Sequence, residues 1–120
     1  MSDLQKLGSF VLCLIATVLP FAMHTVGASY GTASGAMMGL SIGCLASLAL
    51  FWLVVFQVPN RDVHQTMAVS LAGAVGPLIS EITVGSREFE TLRTVNFLLL
   101  IVLAVSILWA FSASDQETLL

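Results

Sequence analysis

The sequence predicts an all-α integral membrane protein, and two observations carry that prediction. The first is a stretch of 54 residues, from Leu7 to Asn60, that contains no Asp, Glu, Lys or Arg. The second is the composition: 58% of the residues are apolar and only 9% are charged, whereas about a quarter are charged in soluble domains. Because about 20 apolar residues cross a bilayer, the uncharged stretch is long enough for two membrane helices and a turn.

Four apolar segments make up most of the chain. We predict helices over residues 8–26, 36–58, 63–84 and 94–111. The small, uncharged stretch 27–35 is typical of a short loop, and Pro59-Asn60-Arg61-Asp62 is a strong signal for a turn. Residues 112–120 form a short acidic tail that we expect to be frayed. The 120 residues are therefore expected to form a single transmembrane bundle without a separate soluble domain.

Two arguments disagree about the third segment, residues 63–84. It contains His64, Gln65 and Glu81, which are costly to expose to lipid. If the segment is interfacial or re-entrant, the chain has three spans and its basic residues share one side, as the positive-inside rule favours. If the segment crosses, the basic residues divide equally between the two sides of the membrane, which also fits an antiparallel dimer with dual topology. The basic residues are Lys6, Arg61, Arg87 and Arg93.

An internal repeat favours the crossing. Pro20 and His24 near the end of the first helix correspond to Pro77 and Glu81 in the third segment, at a constant offset of 57 residues. Trp52 and Trp109 have the same offset. We interpret this pattern as two copies of a helical hairpin, which makes four transmembrane helices. Repeats of two helices each are parallel and are related by an axis along the membrane normal.

Glu81 is the only acidic residue inside an apolar segment. An ionisable group at that depth costs about 2.5–3.5 kcal/mol to insert, so it is expected to face a partner or water. In the four-span arrangement His24 lies at nearly the same level on the same side. A Glu–His pair can bind a cation or pass a proton. The alternative is that both side chains lie at the headgroup level and contact water.

Pro20 and Pro77 each precede one of these titratable residues by four positions. A proline inside a helix removes one backbone hydrogen bond and kinks the helix, which exposes a carbonyl group. Such kinks line cavities in transporters. They also occur where a proline only loosens the last turn before a loop, and the sequence does not separate the two interpretations.

Small residues recur at helical spacing in the second and third segments: Gly39, Gly43 and Ser47, then Gly73 and Gly76. Small residues let membrane helices approach closely. These positions are expected to pack either within the chain or against another subunit.

Aromatic and sulfur-containing residues complete the pattern. Trp52 and Trp109 are predicted to anchor helix ends at the membrane interface. Cys13 and Cys44 fall at different depths of antiparallel helices, so we expect two small buried side chains and no disulfide.

Several functional classes lack any signal in this sequence. It has no nucleophile motif, no phosphate-binding loop and no metalloprotease motif, so we expect no enzyme. Four scattered basic residues predict no nucleic-acid partner. His24 and His64 lie at opposite ends of helices that run in the same direction, and the thiols are far apart, so no haem, metal or other cofactor is expected.

The run Ala16-Thr-Val-Leu-Pro-Phe-Ala-Met23, with the late run Ile107-Leu-Trp109, is similar to the small fourth subunit of bacterial haem-copper oxidases. That family has three spans and accessory roles. The similarity covers about a third of the chain, and residues 64–90 have no counterpart in the family pattern. The resemblance implies an accessory role in a respiratory membrane complex.

Two functions remain open from the sequence. The first is a non-catalytic accessory or scaffolding subunit of a larger membrane complex, favoured by the short loops and small-residue faces. The second is a small oligomeric proton- or cation-coupled transporter or channel that uses His24 and Glu81. Either function places the chain in a lipid bilayer, with other subunits or with copies of itself. We expect a multi-pass protein of a prokaryotic cytoplasmic membrane.

Overall fold

The computed structural model describes residues 3–31, 33–84 and 90–119. Within these ranges the chain is helical and contains no β-strand. The helices are α1 (Asp3–Ala28), α2 (Ala33–Gln57), α3 (Arg61–Ala72), α4 (Val75–Val84) and α5 (Glu90–Leu119). Helices α1, α2 and α5, and α3 together with α4, make four segments that are long and apolar enough to cross a membrane. The all-helical class and the four membrane-length segments are therefore confirmed.

The first and last helices extend beyond their predicted bounds. Helix α1 begins at Asp3, and an acidic residue in a first turn is favoured by the helix dipole. Helix α5 continues to Leu119 and so includes most of the tail that was expected to fray. Its sequence contains no Gly or Pro that would end it. Hydropathy indicates which part of a helix is suited to lipid. The helix itself continues for as long as its backbone hydrogen bonds do.

The third membrane-length segment is broken into α3 and α4. The N–H of Gly73 bonds to the carbonyl of Ser70 at 3.3 Å, and that of Ala74 to Leu71 at 2.9 Å, so the chain tightens into a turn. Pro77 then lies in the first turn of α4, where a missing N–H leaves no helical bond unmade. The interruption therefore precedes Pro77, whereas Pro20 lies inside the continuous helix α1.

Helices α1 and α2 form a tight antiparallel hairpin. Gly31 in the connecting turn has φ of 78°, a left-handed conformation that favours glycine. A Cβ atom added at Gly39 would overlap the carbonyl of Met23, and one at Gly43 would lie 2.6 Å from the carbonyl oxygen of Leu19. The small residues of the second helix therefore allow close packing of α2 on α1 within the chain.

Helix α2 is the centre of a flat bundle, whose Cα atoms span 49 × 31 × 18 Å. It packs against α1, α3 and α5, while α1 and α5 lie at opposite edges and have no described backbone contact. Phe51, Leu40, Leu71 and Leu103 are fully buried in the core. Cys13 and Cys44 are both buried and free.

Residues that correspond in the proposed repeat meet at both ends of the bundle. His24 contacts Glu81, 57 positions later, and Trp52 packs against Trp109, at the same separation in sequence. Contacts between equivalent positions are expected near an axis that relates two parallel repeats. The relationship is approximate, because α2 packs on α3 whereas α5 does not reach α1. Arg87, which bears on the division of basic residues between the two sides, lies outside the described residues.

Candidate functional site

His24 and Glu81 are in direct contact. Nε2 of His24 lies 3.2 Å from Oε1 of Glu81, and their side chains are 38% and 21% exposed. His24 is four residues before the end of α1, and Glu81 is three before the end of α4. At 1.5 Å per residue the two residues lie about 4.5–6 Å from the helix ends. The sequence placed the two residues at one level, and the structure adds that they touch near one end of the bundle.

The pair lies beside a cleft of about 240 Å³ between α1 and α4. Helix α4 packs mainly on α5, and no described Cα atom of α4 lies within 8 Å of one of α1. This divergence follows the break at Gly73 and Ala74 and leaves Leu40 of α2 as part of the cleft wall. The lining residues are Phe21, His24, Leu40, Pro77, Ser80 and Glu81.

The chemistry available in this cleft is that of one imidazole and one carboxylate. The imidazole donates to the carboxylate when Nε2 carries a proton, and the contact becomes an ion pair when both nitrogens are protonated. Among the described residues no third His, Cys, Asp or Glu joins the pair to form a metal-binding group. The pair can therefore hold a proton between its members, or release that proton to water when a cation contacts the carboxylate in its place.

Pro20 does not leave a free carbonyl beside this cleft. A proline at this position deprives the carbonyl of Ala16 of its usual helical donor. The hydroxyl of Ser47 replaces that donor, with Oγ 2.8 Å from the Ala16 oxygen, and Ser47 is fully buried. The carbonyl that Pro20 leaves without a helical donor is thus hydrogen-bonded where α1 packs on α2.

The predicted aromatic anchors meet at the other end of the bundle. The ring centroids of Trp52 and Trp109 are 5.1 Å apart, and Phe51 packs edge-on against both. Nε1 of Trp52 donates to Oγ of Ser106 at 3.1 Å. The indole N–H of Trp52, which an anchor would offer to headgroups, is therefore used inside the chain.

His64 lies at that same far end, away from His24. Its Nε2 is 2.6 Å from the carbonyl oxygen of Val58, so His64 donates to the backbone at the end of α2. Its ring centroid is 6.1 Å from that of Trp109. The structure therefore separates the two histidines, as the direction of their helices implied.

Two polar contacts near the His24–Glu81 end were not anticipated. Ser41 and Asn96 hydrogen-bond between α2 and α5, and both side chains are buried. Nε of Arg93 donates to the carbonyl of Ile82 at 2.8 Å, in the last turn of α4. Asn96 was detectable as an amide in an otherwise apolar segment, because an unpaired amide is costly in a membrane.

Gly73 and Gly76 differ from the glycines of α2. Gly73 is the C-cap of α3, and both residues are exposed. A Cβ added at Gly76 would meet nothing within 4 Å, so the packing of this chain does not require glycine there.

The fold defines a small all-α protein with four membrane-length segments and a titratable pair in a lateral cleft. No protein-family model, curated protein or solved structure matches this chain.

Proposed function

We propose that this chain is a non-catalytic subunit of a larger membrane assembly and that it docks through the outward side of α3 and α4. The observation that carries the proposal is the character of that side. Beside the exposed apolar side chains of Val69 and Ile79, this side carries a row of residues that are small or bear a hydroxyl group, are at least partly exposed, and succeed one another every three or four positions. We call this row the docking stripe: Ser70, Gly73, Gly76, Ser80 and Thr83.

The edges of the bundle are different. Helices α1 and α5 expose large apolar side chains such as Phe10, Val18, Leu98 and Leu108, which suit contact with lipid. Glycines and small hydroxyl-bearing residues gain nothing from lipid tails, but they allow a neighbouring helix to approach closely. The hydroxyl groups of Ser70 and Thr83 donate to carbonyls of their own helix, and their oxygens can still accept a hydrogen bond from a neighbour. The docking stripe therefore fits a helix of another subunit better than it fits lipid.

Gly76 makes this argument specific. Glycine in a helix interior is less favourable than alanine by about 0.8–1 kcal/mol. Gly76 lies in the first turn of α4 and before Pro77, where this cost is smaller, and no described side-chain or backbone contact of this chain demands glycine there. Gly39 and Gly43 are explained by the backbone of α1, against which they pack. A helix of another subunit packed on α4 would give Gly76 an equivalent explanation.

Native mass spectrometry of the tagged full chain, gently extracted from its own membrane, tests the proposal. The wild-type chain is expected to arrive with larger subunits at a constant ratio. Gly76→Leu places a bulky side chain on the docking stripe and is expected to reduce the partner-to-chain ratio about tenfold, which corresponds to about 1.4 kcal/mol. Ser80→Leu, on the same stripe, is expected to act likewise.

The matched control is Ala104→Leu, which adds the same side chain to the exposed side of α5. It is expected to keep the wild-type ratio. Recovery of only the 12.7 kDa chain from wild-type membranes would contradict the subunit proposal. Equal partner recovery with Gly76→Leu, Ser80→Leu and Ala104→Leu would remove the docking stripe from it.

A second function is favoured by the contact between His24 and Glu81. A homo-oligomer that covers the cleft between α1 and α4 would enclose an imidazole and a carboxylate, and the pair would exchange a proton or cation between the two sides. This alternative is a small proton- or cation-coupled transporter or channel. It predicts a defined homo-oligomer in the same mass-spectrometry experiment.

Flux measurements on the full chain in proteoliposomes test the transport function. Wild-type protein is expected to dissipate an imposed proton gradient, and Glu81→Gln is expected to abolish that activity while leaving the helical content unchanged. Glu90→Gln is the control, because Glu90 is exposed in the first turn of α5 and does not line the cleft. Undiminished flux in Glu81→Gln would eliminate the His24–Glu81 mechanism.

A further inference from the structure

A second cleft lies at the opposite end of the bundle from His24 and Glu81. It has a volume of about 320 Å³ and separates the beginning of α1 from the beginning of α3. Lys6 and Phe10 line it from α1, and Asp62 and Thr66 line it from α3. We call it the Lys6–Asp62 cleft.

The two charged groups of this cleft are not engaged with each other. Lys6 and Asp62 are both exposed, and they do not form an ion pair with each other. Among the described residues, neither the Lys6 ammonium nor the Asp62 carboxylate forms an ion pair. The cleft therefore presents one positive and one negative group on facing walls, which suits a ligand that carries both charges.

The neighbouring polar groups are already hydrogen-bonded. Oδ1 of Asn60 accepts the N–H of Val63 at 3.2 Å and caps α3. Oγ1 of Thr66 donates to the backbone carbonyl of Asp62 at 2.8 Å. These bonds hold the beginning of α3 in place beside α1, so the position of Asp62 in the wall of the cleft is supported by the local backbone.

An apolar track continues from the cleft along α1. Phe10, Leu14 and Val18 follow one another every four residues and are 60%, 50% and 57% exposed. A shallow groove lined by Leu14, Ile15, Val18 and Leu19 extends along the same helix. From Phe10 to Val18 the track covers about 12 Å toward the middle of the bundle. A polar end with both charges thus joins an apolar groove.

We propose that the Lys6–Asp62 cleft binds a zwitterionic phospholipid whose headgroup carries a primary amine. Lys6 contacts the phosphate, Asp62 accepts hydrogen bonds from the ammonium, and one acyl chain lies along Phe10, Leu14 and Val18. A quaternary choline group has no N–H to donate to Asp62, so it binds more weakly. A purely anionic headgroup meets Lys6 favourably but is repelled by Asp62.

The experiment is a lipid titration of the purified full chain, followed by native mass spectrometry. The probes are phosphatidylethanolamine, phosphatidylcholine and phosphatidylglycerol with identical acyl chains. Wild-type protein is expected to bind phosphatidylethanolamine about fivefold more tightly than either of the others, the scale of one exposed charge contact. Asp62→Asn is expected to remove the preference over phosphatidylcholine, and Lys6→Gln to weaken the binding of all three lipids.

Asp3→Asn is the matched control, since Asp3 is an exposed acidic residue at the same end of the bundle that does not line the cleft. It is expected to keep the wild-type preference. Equal binding of the three lipids by wild-type protein would overturn the proposal, as would an ethanolamine preference that survives Asp62→Asn. Tightest binding of phosphatidylglycerol would replace it with a site for anionic lipid.

Discussion

Ser47 donates a 2.8 Å hydrogen bond to the carbonyl of Ala16, and this is the carbonyl that Pro20 leaves without its helical donor. The donor belongs to α2, so the missing bond of one helix is supplied by its neighbour. Ser47 also lies one turn beyond Gly43, where a Cβ would come within 2.6 Å of Pro20 Cα. The absence of a side chain at Gly43 brings α2 close enough for Ser47 to reach α1.

We therefore expect Ser47→Ala to destabilise the bundle by about 0.6–1.7 kcal/mol, the range of hydrogen bonds between membrane helices. In Pro20→Ala the restored N–H bonds to Ala16 within α1, so removing the Ser47 hydroxyl from that background costs less. A double-mutant cycle, measured by denaturant unfolding in micelles, isolates this coupling. Equal effects of Ser47→Ala in both backgrounds would show that the hydroxyl does not act through Pro20.

Gly39→Ala is expected to disrupt the α1–α2 hairpin. The added Cβ would overlap the backbone carbonyl of Met23, so the helices must separate, at a cost of about 1–3 kcal/mol or more. Gly8→Ala is the control, because a Cβ at Gly8 meets nothing within 4 Å and alanine favours helix. Thermal unfolding followed by circular dichroism should place Gly39→Ala below wild type and Gly8→Ala at or above it.

Asn96 offers a prediction of the opposite sign. Its side chain is fully buried, and Nδ2 has no partner among the described residues. Ser41 has a single hydroxyl proton and also lies 3.0 Å from the Met37 carbonyl, which can accept it. Replacement by the apolar, slightly larger leucine removes the unpaired Nδ2 group, and Asn96→Leu is expected to raise stability by about 1 kcal/mol.

Asn96→Ala tests whether the gain in Asn96→Leu comes from removing the unpaired Nδ2 group while filling its space, or whether position 96 accepts any apolar residue equally. Alanine also removes the amide but leaves a cavity, so it is expected to be less stable than Asn96→Leu by about 2 kcal/mol or more. Unfolding in micelles measures both variants. A loss of stability in Asn96→Leu as large as that in Asn96→Ala would mean that the contact with Ser41 outweighs the unpaired amide.

Arg93 is expected to hold the end of α4 against α5. Its Nε–H donates to the carbonyl of Ile82, which lies in the last described turn of α4. Arg93→Gln should lower the free energy of local opening of α4 by about 1 kcal/mol. Amide hydrogen exchange in Arg93→Gln is therefore expected to be faster than in wild type for α4 and unchanged for α2.

Thr94→Val is the control for Arg93, because the described hydrogen bond of the Thr94 hydroxyl goes to the carbonyl of Glu90 within α5. It is expected to leave exchange in α4 unchanged. Unaltered protection of α4 in Arg93→Gln would indicate that packing on α5 alone holds this helix.

Hydropathy and charge in the sequence determined the four membrane-length segments, because a chain with so few charged residues has only a few places for turns. Counting along helices also put His24 and Glu81 at one level, since depth depends only on rise per residue. The sequence could not show that the two side chains touch. That contact depends on how far α4 diverges from α1, which residues distant in sequence decide.

The small residues illustrate the same limit. Gly39 and Gly76 are both glycines in apolar segments, yet only Gly39 is pressed against another backbone of this chain. Pro20 and Pro77 also correspond in the repeat, yet one lies within a helix and the other begins one. Composition and spacing thus determined which segments are helical and membrane-like. Only the tertiary structure decided which side of each helix is covered, because helix rotation and tilt are set by packing between neighbours and not by hydropathy.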